Sequence, residues 1–197
     1  MIDLHIHSTC SDGTFTPKEI TDKVIEKNLY GFSLTDHDTV DGISEILSMN
    51  LPEHLKFIPG IEISCDALHR EIHILGYGID CKNQQLNKTL NDLRKKRMQR
   101  NLDMIELFQK DGYPVTLEKL QHGDPDTVIT RAHFSRVLVE EGICTSRDQA
   151  FSKYLGEKCK YYIPKPFFDP KDCLKLILDA GGIPILAHPF LYKFSNK

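Results

Sequence analysis

The chain has 197 residues, 40% hydrophobic and 27% charged, which suits one folded domain with a sizeable core and room for an insertion. Its formal net charge of -3 gives no electrostatic reason for non-specific binding to nucleic acid or to an anionic membrane. The opening MIDLHIH lacks the basic start and apolar core of an export signal, and no apolar run approaches the length of a membrane span. Cys10, Cys65, Cys81, Cys144, Cys159 and Cys173 form no CxxC pair and read as reduced thiols of a cytoplasmic protein.

Apolar stretches ending in polar clusters recur along the chain. The first is IDLHIH, in which Ile2 and Leu4 indicate a buried strand. TFTPKEITDKVIEKN follows as a helix with Thr16 as N-cap, Pro17 in the first turn and Glu19 at capping-box spacing; Ile20, Val24 and Ile25 mark its apolar face. YGFSLTDHD is a second strand, and TVDGISEILSMN a short helix facing the core through Ile43, Ile46 and Leu47. LKFIPGIEIS and REIHILGYG are further strands. Strands alternating with helices at the start argue for an α/β fold with parallel strands.

From about Asn83 to Asp179 the pattern is almost wholly helical. A long helix carries Leu86, Leu90, Leu93, Met98, Leu102, Ile105 and Phe108 and stops at Gly112. A second starts from a Thr130 cap and ends at Gly142, and a third opens with Thr145 and Asp148 at capping-box spacing. A fourth opens at Asp169 and Pro170. The last apolar stretch, GIPILAHPF, ends in His188. The chain therefore divides into 1–82, a helical insertion over 83–168 placed as a cap, and a return over 169–197. The basic run RKKRMQR reads as a solvated helix face, and His54, His69 and His122 as surface residues.

The chemistry collects where the strands end. His5 and His7, two apart on a strand, share a face and could offer two imidazoles to one metal ion; a surface strand with two polar residues is the alternative. Asp36, His37 and Asp38 follow the second strand, Glu62 stands between Ile61 and Ile63, His73 between Ile72 and Ile74, and His188 ends the last strand. Polar groups brought together in this way are costly to bury unless something satisfies them, and divalent cations would do so together. Asp12 precedes a glycine, a pairing also common in plain turns. Imidazoles mixed with carboxylates suit Zn, Mn or Fe, and Glu62 is the natural bridge between two ions. Closely spaced ions favour hydrolysis, above all at phosphorus. Arg131 and His133 stand at a helix start, where backbone N–H groups and a guanidinium attract an anion; a solvated arginine and a packed histidine are the alternatives.

DLHIHSTCSDGTFTP, LTDHDTVDG, GIEIS, HILGYG and ILAHP, in this order, resemble the successive motifs of the PHP (polymerase and histidinol phosphatase) superfamily of phosphoesterases. The central TRAHFSRVLVEEG is more similar to the branch acting on nucleoside 3′,5′-bisphosphates and on the 5′ ends of short RNA. The resemblance implies a distorted (β/α)7 barrel with a helical insertion and two or three divalent ions. It implies that His5, His7 and Glu62 hold the first ion, that Glu62, His73 and His188 hold the second, and that Asp12 and His37 hold the third. Arg131 and His133 would bind substrate phosphate, His133 could help protonate the leaving group, and Asp36 would orient a ligand from behind. The expected partner is a small phosphorylated nucleotide, with short RNA possible, and neither duplex nucleic acid nor a membrane. The family's late Asp-x-His motif has no counterpart here, so the barrel is expected to be incomplete at the C-terminus and the isolated chain weakly active or inactive. Two rival expectations are an amidohydrolase-like metal hydrolase and a metal-stabilised module without turnover.

Overall fold

The computed structural model describes residues 1–67, 70–165 and 168–192. Five strands form one mixed sheet in the order β1 (Ile2–Ile6), β2 (Gly31–Leu34), β3 (Lys56–Ala67), β4 (Arg70–Tyr77) and β5 (Ile183–Leu186). The first three are parallel and are joined by α1 (Pro17–Glu26) and α2 (Asp41–Leu47). The sheet then changes character, because β3 outlasts β2. Its residues Lys56–Pro59 pair with β2, whereas Gly60–Ala67 pair antiparallel with β4. β5 is antiparallel to β4. The result is an α/β fold whose sheet is not closed, a distorted and incomplete barrel with extra helices.

The helix that opens the fold forms for the reasons its sequence states. Thr16 accepts the N–H of Glu19, and the Glu19 carboxylate accepts the N–H of Thr16 at 2.8 Å. Ile20 and Val24 are buried against Phe32, Leu34, Ile46 and Leu55. A second cluster unites Ile61, Ile63, Ile72 and Ile74 of the sheet with Leu86, Leu90, Cys173 and Ile177. These last two belong to α7 (Pro170–Asp179), which starts from an Asp169 cap.

The chain divides into two compact units, one of Met1–Asn91 with Phe167–Lys197, the other Asp92–Pro166. The first division falls inside α3 (Gln84–Lys110), a single 27-residue helix. The second unit also contains α4 (Leu117–Gln121), α5 (Arg131–Glu140), α6 (Arg147–Ala150) and a π-helical turn over Phe151–Leu155. Its core gathers Met104, Phe108, Phe134, Leu138 and Tyr161, with the Phe108 and Tyr161 rings stacked 4.1 Å apart.

Several local expectations are corrected. Ile2 and Leu4 are exposed on β1 at one edge of the sheet, as are Ile183 and Ile185 on β5 at the other. Ile25 and Leu47 also face outward. The cap of α6 is Ser146, one residue after Thr145; Thr145 instead donates its N–H to the Gln149 side chain. The basic run is not a uniformly solvated face, since Arg97 and Arg100 are buried whereas Lys95 and Lys96 are exposed. His54 and His122 are exposed, and His69 lies outside the described residues. No helix among the described residues is long and apolar enough to cross a membrane, and none of the six cysteines forms a disulfide among the described residues.

Phe32 is fully buried on β2 and packs on Phe57, with ring centroids 4.9 Å apart. Phe32→Ala is expected to cost about 3–5 kcal/mol of unfolding free energy, measured by urea denaturation. A loss below about 1 kcal/mol would contradict this packing.

Candidate metal centre

Glu62 lies just past the point where β3 leaves β2, and its side chain is 1% exposed. Five imidazoles surround this one carboxylate. Oε2 stands 3.1 Å from His5 Nε2, 3.1 Å from His7 Nε2 and 3.4 Å from His37 Nδ1. Oε1 stands 3.0 Å from both His73 Nδ1 and His188 Nε2. Asp12 faces two of the same rings from the other side, 3.6 Å from His7 Nδ1 and 3.5 Å from His37 Nε2. Among the described residues, three groups of side chains have donor atoms close enough to share an ion: His5, His7 and Glu62; His7, Asp12 and His37; and His37, Glu62 and His73.

The elements deliver these residues in different ways. His5 lies on β1 and His7 just beyond it, so strand alternation sends both rings to one side. Glu62 and His73 lie within long strands and not at strand ends, because β3 and β4 run on as an antiparallel pair past the parallel part of the sheet. His37 is held by a bridge between its own segment and Glu62, in which Glu62 donates its N–H to Asp36 and Asp38 donates its N–H to Glu62. His188 follows β5, with Ala187 N–H bonded to the carbonyl of His73.

Asp12 reaches the cluster because its loop folds tightly against the end of β1. Ser11 and Gly13 both donate to the Ser8 carbonyl, and a Cβ on Gly13 would come within 2.0 Å of the His7 carbonyl oxygen. Asp36 fastens the same loop, accepting from Ser8 N–H at 2.7 Å, Ser8 Oγ at 2.6 Å and Ser11 Oγ at 2.6 Å. Cys10, in the middle of this loop, turns its sulfur toward Gly42 on α2. Asp38 and His188 adopt left-handed backbone with φ of 52° and 30°. Such strain in residues with a side chain concentrates at functional sites.

Electrostatics prepare the cluster for cations. Burial alone would raise the pKa of Glu62, but hydrogen bonds from His5, His7 and His73 outweigh it and hold the group ionised far below the ordinary carboxylate range. Burial pushes His37 well below the usual imidazole range against the pull of Asp12 and Glu62, so its ring is neutral. Burial also pulls His7 down, yet its hydrogen bond to Glu62 and the charges of Asp12, Glu62 and Asp36 raise it overall.

The donor set fits divalent ions. Ligand atoms about 2.0–2.2 Å from a common ion sit roughly 3.0 Å apart at right angles and about 3.4 Å apart at tetrahedral angles. The nitrogen–oxygen separations here run from 3.0 to 3.6 Å. The Nδ1 atoms of His7 and His37 are buried and make no hydrogen bond among the described residues, their carboxylate neighbours being too distant or badly aligned. His73 is the more telling case. Its Nε2 lies 2.8 Å from Glu71 Oε1, and a carboxylate only accepts, so Nε2 carries the proton. Nδ1 then stands 3.0 Å from a Glu62 oxygen, donating to it when the ring is doubly protonated and offering it a lone pair that a cation would bridge when the ring is neutral.

Two residues of this outer layer escaped the sequence reading, Glu71 and Tyr192. Tyr192 Oη accepts the N–H of His73 at 2.8 Å and lies 3.0 Å from His188 Nδ1. Strand alternation between Glu71 and His73 was available as a signal; the return of Tyr192 four residues after His188 depends on the 3-10 turn Pro189–Tyr192. Arg131 and His133 belong to the other compact unit. There Arg131 lies over the Phe151 and Tyr162 rings, 5.9 and 5.4 Å from their centroids, and His133 Nδ1 accepts the N–H of Thr130 as part of a capping box.

This metal-ready cluster on an open α/β sheet defines a metal-dependent hydrolase of the phosphoesterase type. The PHP domain family model matches residues 3–162, and the chain belongs to that family. It is 35% identical to the 5′-3′ exoribonuclease Rnm of Escherichia coli, over 99% of this chain and 67% of that protein. It is 31% identical to the 3′,5′-nucleoside bisphosphate phosphatase of Chromobacterium violaceum, over 97% of this chain and 67% of that protein. Among solved structures, an amidohydrolase from Chromobacterium violaceum with bound sulfate and no metal superposes with a TM-score of 0.89, at 30% identity, over 99% of this chain and 69% of that one.

Two outcomes test the geometry. Gly13→Ala is expected to weaken metal binding by about tenfold or more, read by isothermal titration with Mn²⁺, because the loop carrying Asp12 must move. Affinity should also fall as pH drops: protonated His7 cannot be a ligand, and the hydrogen bond and charges around it raise its pKa, so the loss should begin at a higher pH than an ordinary imidazole would give. Affinity unchanged between about pH 8 and about pH 6 would contradict the assignment.

Proposed function

We propose that the chain hydrolyses phosphate esters of small nucleotides, nucleoside 3′,5′-bisphosphates or the ends of short oligoribonucleotides. The observation that carries this reading is one buried carboxylate whose two oxygens face separate sets of imidazoles. The exoribonuclease and bisphosphate phosphatase activities named for its relatives support the nucleotide substrate.

In this reading His5, His7 and Glu62 hold one divalent ion, Glu62, His73 and His188 a second, and Asp12 and His37 a third, with Mn, Fe or Zn suited to the donors. Bound ions of this kind neutralise phosphate charge and acidify a water nucleophile. Glu62 contributes permanent negative charge, and neutral His37 contributes a ring lone pair without first losing a proton. Asp36 acts at one remove, by fixing the loop that presents Asp12. Arg131 binds a phosphate oxygen through its guanidinium, which the Phe151 and Tyr162 rings orient. His133 uses Nδ1 for its helix cap, so Nε2 is the nitrogen that serves the phosphate. The helical segment 83–168 carries this phosphate-binding pair as an insertion between strands that build the metal centre. The likeness to a structure described as an amidohydrolase favours hydrolysis of C–N bonds as a second reading.

The test is a substrate panel with Mn²⁺-loaded protein, comparing phosphate release from adenosine 3′,5′-bisphosphate, nucleotide release from short RNA, and cleavage of amides and lactones. Release from the nucleotides is expected, falling by about a hundredfold or more in Glu62→Gln and changing less than about twofold in Lys95→Ala on the exposed helix face. Turnover of amides or lactones alone would overturn the reading.

A further inference from the structure

We propose that Tyr192 is a positioning residue for the Oε1 side of Glu62, making retention of an ion there depend on one hydroxyl; this rests on the metal-centre reading above. The oxygen of Tyr192 accepts the backbone N–H of His73 at 2.8 Å and lies 3.0 Å from Nδ1 of His188. The remaining nitrogens of the pair, His73 Nδ1 and His188 Nε2, both stand 3.0 Å from the same Glu62 oxygen. One hydroxyl thus ties the strand that carries one imidazole to the ring of the other.

The two rings need this tie to different degrees. His73 sits within β4, and Glu71 already holds its Nε2. His188 has no strand around it. It follows β5 on left-handed backbone with φ of 30°, where its carbonyl closes a turn by accepting the N–H of Leu191. The ring can serve an ion through Nε2 only when its own proton is on Nδ1, and Nδ1 is the atom facing Tyr192. A hydroxyl oxygen has two lone pairs, so it can accept from His73 N–H and His188 Nδ1–H together. The same hydroxyl can turn and donate to Nδ1, which leaves Nε2–H to bond Glu62. Tyr192 therefore accommodates both tautomers of His188 without displacement of the ring, one suited to the metal-free cluster and one to the loaded cluster.

The tyrosine is anchored well enough to do this. The residue is 9% exposed and belongs to the cluster that contains Ile72, Ile74 and Ile177. Removing the oxygen would spare that packing and take away the acceptor for both histidines. The rings on the Oε2 side, His5, His7 and His37, approach Glu62 from other segments of the chain.

The experiment titrates metal-free wild-type chain, Tyr192→Phe and Tyr77→Phe with Co²⁺, followed by visible absorption, with metal content measured after gel filtration. Tyr77 donates to the Leu4 carbonyl and serves as the control for loss of a tyrosine hydroxyl near the sheet. Tyr192→Phe is expected to weaken one class of Co²⁺ site by about 10–100-fold and to leave another in place, while Tyr77→Phe follows wild type. A second measurement needs no variant: ¹⁵N correlation spectra of Zn²⁺-loaded wild type should show His188 bound through Nε2 and protonated on Nδ1. Identical isotherms for Tyr192→Phe and wild type, or His188 bound through Nδ1, would overturn the role of Tyr192. Wild-type chain that retains neither Co²⁺ nor Zn²⁺ would instead overturn the metal centre on which it rests.

Discussion

A carboxylate that is 1% exposed and ionised must be surrounded by positive charge or hydrogen-bond donors, and Glu62 places that demand on the whole first unit. Five imidazoles face it from four separate regions of the chain. None of these regions could move far without leaving the charge unserved, so the site constrains the sheet as much as the sheet builds the site. The change of partner along β3 is the structural expression of this demand. Parallel pairing with β2 brings His37 alongside Glu62, and antiparallel pairing with β4 brings His73 there. An all-parallel continuation would have no reason to place both imidazoles on one carboxylate.

The supporting shell spends conformational freedom to hold this arrangement. Asp36 is nearly inaccessible, and burial raises its pKa against three hydrogen bonds from Ser8 and Ser11. Asp38 sits on left-handed backbone and accepts the Ser64 N–H at 2.9 Å, locking the segment after β2 to β3. Gly13 permits a backbone approach that a Cβ would block. Strained backbone and buried acids of this kind persist where surrounding contacts over-determine them.

The second unit follows a different physical logic. Its core is aromatic and aliphatic, with Phe108 at the centre of contacts to Tyr113, Phe134, Tyr154 and Tyr161. Asp111 bonds both Lys160 and Tyr161, and burial together with this carboxylate pushes the Tyr161 pKa well above the usual phenol range. Arg97 and Arg100 are buried on α3, with Arg100 Nη1 lying 2.9 Å from Met104 Sδ. A run of basic residues is therefore divided by helical phase into a wet face and a packed one. Counting charges along the sequence cannot make that distinction, because it depends on what each residue packs against.

What the amino-acid sequence determined by itself was local. Strand and helix order at the start, the caps at Thr16, Thr130 and Asp169, and the pairing of polar residues with apolar strands all follow from short-range spacing and from the cost of burying polar groups. That reasoning raised His5, His7, Glu62, His73 and His188 as candidates, and the family resemblance added Asp12 and His37. Tertiary structure alone decided that five rings share one carboxylate, which oxygen each ring faces, and that Glu71 and Tyr192 stand behind two of them. It also decided that β3 changes direction of pairing, and that Ile2 and Leu4 lie on an exposed edge. The physical reason is the same throughout: capping and alternation are settled within a few residues, whereas sheet order, ring orientation and edge exposure depend on contacts between residues as far apart as Glu62 and His188.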